Sequence, residues 1–125
     1  MKQLQAGQNI PLAGGIARFE VEAAVPLTLS ALVVNADLRV GSASDVLVSE
    51  RPAGPGVRVE VAASAVVVTL GDVRADAAAV LLVAAAQSGT GVVTASLTEN
   101  DTPAAGFVIA PQAGETALIC FELYR

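Results

Sequence analysis

The sequence predicts an all-β fold, an antiparallel sandwich of two sheets with little helix, in a single domain over residues 1–125. Three observations point there. The apolar fraction is 54% while the aromatic fraction is 3%, so a core must be built from Val, Leu, Ile and Ala, a composition whose β-branched members favour strands. Several segments alternate apolar and polar residues with a period of two. Turn residues interrupt these segments at the short spacing expected of a sandwich.

Taken in chain order, Ala17 to Glu22 alternates, with Arg18, Glu20 and Glu22 on one face and Phe19 and Val21 on the other. It reads as a half-buried strand, one face in the core and one in water. Leu27 to Val34 is nearly continuous apolar sequence, which predicts a central strand covered on both sides. Asn35-Ala36-Asp37 and Pro52-Ala53-Gly54-Pro55-Gly56 are turn chemistry, and Val57 to Val61 alternates again. Val66 to Leu70 and Val80 to Ala86 are two further apolar runs expected in the inner layer. Asp76-Ala77-Ala78-Ala79 has helix propensity, but Val80-Leu81-Leu82-Val83 is β-prone and has no polar face for water. A turn or single helical turn over Asp72 to Ala77, then a buried strand, is the expectation. Ser88-Gly89-Thr90-Gly91 is a turn, Val93 to Thr98 is an alternating strand, and Glu99-Asn100-Asp101-Thr102-Pro103 is a turn in which Asn100 and Asp101 read as an Asx-type element.

Charge narrows the function. The net charge is -5, and the cations are Lys2 and six scattered arginines, so a nucleic-acid partner and an anionic membrane surface are both disfavoured. The longest apolar run, Ala77 to Ala86, falls short of the roughly 20 residues of a membrane span. Met1 to Gly15 has no apolar segment of the secretory type, so cytoplasmic residence is expected. With no histidine in the chain, neither a Ser-His nor a Cys-His nucleophile can be assembled, and no enzyme is expected. Cys120, the only cysteine, lies in Ala117 to Phe121 and is expected to be a buried, inert thiol.

The remaining polar groupings are weak as sites. Glu20 and Glu22 lie roughly 6 to 7 Å apart along one strand face, a carboxylate spacing usable in acid–base work, but Arg18 beside them would keep both ionised. The glycines of Ala13-Gly14-Gly15 and of Pro52 to Gly56 lack the Lys-Ser/Thr pair of a phosphate cradle and are expected to be turns.

Short motifs in order along the chain resemble the tellurium-resistance (TerD) family of bacterial stress proteins. They are Leu4, Gly7, Asn9 and Leu12 at the start, Ser30-Ala31-Leu32-Val33-Val34-Asn35 with Val40, Ser42 and Asp45, the loop Pro52 to Gly56, Glu115-Thr116-Ala117, and Glu122-Leu123-Tyr124-Arg125. The resemblance implies a β-sandwich and, in typical members, calcium held by clustered carboxylates. Here the acidic positions before the Ser-Ala strand fall on Ala24, Pro26 and Thr28, a second acidic stretch falls on Ala62, Ala63 and Ser64, and a further Asp position falls on Ala43. Asp45 stays acidic, and Glu50 stands where an Asn is usual. Two carboxylates do not supply the six or more oxygens that calcium takes, so no tight calcium site and no other cofactor is expected. Family domains continue past the Tyr-Arg with another strand, which implies here either a compact variant or an open neighbouring edge.

The expected function is therefore a non-catalytic binding or scaffold module of a bacterial stress-response system, with a protein partner or self-association. Two alternatives stand beside it. One is a self-associating structural subunit; the other is a calcium-binding protein whose site uses Asp45, Glu50 and backbone oxygens.

Overall fold

A computed structural model describes residues 2–3, 14–25, 27–37, 39–41, 45–48, 50–60, 65–86, 92–109 and 117–124, with the backbone alone described for residues 2–3, 107, 109, 117–122 and 124. Two sheets form an antiparallel sandwich. The strands are β1 (Lys2–Gln3), β2 (Ile16–Ala23), β3 (Thr28–Val34), β4 (Val46–Leu47), β5 (Ala53–Gly54), β6 (Val57–Glu60), β7 (Ala65–Thr69), β8 (Ala79–Ala85), β9 (Val93–Glu99), β10 (Thr102–Ile109) and β11 (Ala117–Tyr124). The larger sheet has the order β1-β10-β9-β2-β7-β6-β5 and the smaller one β11-β8-β3-β4. Every pairing is antiparallel except β1 on β10, which is parallel.

The core lies between the sheets. In β2 the period-two pattern buries Ala17, Phe19 and Val21 and turns Arg18, Glu20 and Glu22 outward. Val57, Val59, Val66, Val68, Val93, Ala95 and Leu97 complete the inner face of the larger sheet, and Leu29, Ala31, Val33, Leu47, Val80, Leu82 and Ala84 that of the smaller one. Among the described side chains Phe19 is the aromatic of this core, at 1% exposure.

The continuous apolar runs behave differently from the sequence expectation. Along β3 and β8 burial still alternates, with Leu32, Leu81 and Val83 only half-buried while Ala31, Leu82 and Ala84 are enclosed. These strands are central in their sheet but are not enclosed on both faces. A run of apolar residues carries no phase, so it cannot reveal which alternate positions face the core. The helical turn is a 3₁₀ turn at Leu70–Asp72, ahead of most of the segment expected for it, and the chain then reaches β8 through a turn at residues 75–76.

β10 was not foreseen. Asn100 and Asp101 both have positive φ, 52° and 67°, and with Thr102 paired to Glu99 they make a two-residue hairpin turn of the kind that matches strand twist. Pro103 fits because it is exposed, close to the turn and beside a register shift before Ala105. In β11 the register with β8 also shifts, between Ile119 and Phe121, which makes Cys120 the extra residue of a bulge. The expectation of a buried Cys120 thiol lies outside the described side chains.

Candidate functional site

Three polar arrangements stand on this framework. The first is on the outer face of the larger sheet. Register sets Arg18, Val67 and Arg58 in one row across β2, β7 and β6, and Glu20, Ala65 and Glu60 in the next. A basic row therefore lies beside an acidic one. The Arg18 Nε donates to Glu20 Oε1 at 2.7 Å, its Nη1 donates to Glu60 Oε1, and Arg58 Nη2 donates to Glu60 Oε2 at 3.2 Å. Ala65 lies fully buried in the register between the two carboxylates although its row is the outer one. Hydrogen bonding to Glu20 and then to Glu60 pushes the Arg18 guanidinium above its ordinary range, and the Arg18 hydrogen bond holds Glu60 below the ordinary glutamate range. Of the carboxylate pair singled out in the sequence, Glu20 meets Arg18 as expected. Glu60 is the partner that sequence reasoning missed, since it lies 42 residues from Arg18 and only the β2-β7-β6 register joins them.

The second arrangement surrounds Asp45, just before β4. Asp45 is 5% exposed, its Oδ2 accepts from the Gly41 N–H at 3.2 Å, and its Oδ1 accepts from Arg74 Nη1. Arg74 Nε also faces Asp76 Oδ1 at 2.9 Å. The hydrogen bond to Asp45 is the main cause that raises Arg74 above the ordinary guanidinium range. Burying a carboxylate is costly without a cation, and Arg74 is that cation. Glu50 is exposed, in the turn closed by the Val48 and Arg51 backbones, whereas Asp45 is buried. Among the described residues no three His, Cys, Asp or Glu side chains gather. Of the other family-derived positions, Ala24 and Thr28 are exposed, and Pro26, Ala43, Ala62, Ala63 and Ser64 lie outside the described residues.

The third is a clasp at the start of β2. Asn100 Oδ1 accepts from the Ile16 N–H at 3.0 Å, Asn100 Nδ2 donates to the Gly14 carbonyl at 3.4 Å, and Gly14 N–H donates to Glu99 Oε2 at 3.0 Å. The Asn100 side chain thus ties two strands together, where an Asx turn would bond it to its own backbone. Gly15 is favoured there because its φ of 117° is a conformation that L side chains rarely adopt, and a Cβ on it would also press on the Asn100 side chain. As expected, Gly14 and Gly15 make a bend, with φ 92° and 117°.

No family model matches the chain, and no curated protein is similar to it. Among the described residues, no helix is long and apolar enough to cross a membrane.

Proposed function

We propose that this chain is a non-catalytic, TerD-like binding or scaffold module of a bacterial stress-response system, acting in the cytoplasm on protein partners without tight calcium binding. The ordered short motifs support the family reading, and a two-sheet sandwich is the fold it implies. The observation that carries the metal-free part is Asp45. Its carboxylate, the acidic position retained from the family pattern, is occupied by Arg74 and the Gly41 amide. A cation approaching Asp45 would have to displace a guanidinium that is already paired with it.

Calorimetric titration with calcium tests the reading. The expected result is binding no tighter than about millimolar, the weak end of natural sites. Calcium should also leave the melting temperature nearly unchanged, because stabilisation follows the logarithm of ligand concentration over Kd. A stoichiometric micromolar site would overturn the metal-free reading in favour of a site at Asp45, Glu50 and backbone oxygens.

A further inference from the structure

We draw no further inference here: the strongest candidate, the half-buried apolar row of Leu32, Leu81 and Val83 on the outer face of the smaller sheet, carries nothing, because nothing in the structure shows what covers it.

Discussion

Arg18 is the hub of the charged face, since its guanidinium is shared by a carboxylate on its own strand and one two strands away. Pairs at such exposure contribute little singly, but a side chain already fixed by one partner loses less entropy in meeting a second. Glu60 provides a way to read this. Its folded pKa lies below the ordinary glutamate value, so its contribution to stability is present above that ordinary value. The contribution is lost as pH falls through the folded value. Urea midpoints of the wild type should therefore drop on acidification through this window, and Glu60→Gln should show a shallower drop together with a lower midpoint at neutral pH. High salt should narrow the gap between the two proteins. Equal pH slopes would mean that Arg18 does not distinguish ionised from protonated Glu60. Arg18 itself, raised above the guanidinium range, adds no titration step at ordinary pH.

Among the elements, those with a phase were legible down to their inward residues, while the continuous apolar runs were legible as strands, β3, β7 and β8, but not in which face they bury. β2 and β9 alternate so strictly that their inward residues could be read directly, as Phe19 and Leu97 show, and their bounds to within one residue at each end. β10 could not, because Pro103, Ala104, Ala105 and Gly106 have weak strand propensity and are held extended by their pairing with β9. The partners of the charged site escaped for the same reason: Arg18 with Glu60 and Arg74 with Asp45 depend on tertiary register, 42 and 29 residues apart. Turns were legible where glycine is obligatory. Gly56 follows Pro55 between the paired Gly54 and Val57, has φ 76°, and approaches the 3₁₀ turn so closely that a Cβ would lie 2.5 Å from the Val73 nitrogen. Gly56→Ala should cost more than the about 1–2 kcal/mol of left-handed backbone alone, because the clash is with main chain. Gly71→Ala is the matched control, since its Cβ would meet nothing within 4 Å and its backbone is not left-handed. Chemical denaturation should show Gly71→Ala neutral or slightly stabilising. Similar losses in both would show that the Gly56 approach is not a constraint.

At the scale of the molecule, the sandwich is held by one apolar layer between two sheets, and the strand β8 allows that layer to be tested within two adjacent residues. Leu82 is 0% exposed and belongs to the core, while Leu81, next to it, points to the other face and is half-buried. Truncating a fully enclosed leucine removes its transfer free energy and leaves a cavity that close-packed neighbours fill only in part. Leu82→Ala should therefore lose about 2–5 kcal/mol. For a domain of this size that lowers the melting temperature by roughly ten degrees or more. Leu81→Ala removes less buried area and opens no internal cavity, so its loss should stay within about 1.5 kcal/mol. The comparison is direct because both changes delete the same atoms from the same strand. Thermal unfolding of the two variants at one protein concentration decides between a two-layer molecule and one covered on its outer face. Equal losses would mean that the outer row of Leu32, Leu81 and Val83 is itself enclosed, and the continuous apolar runs would then have been true signs of strands buried on both sides.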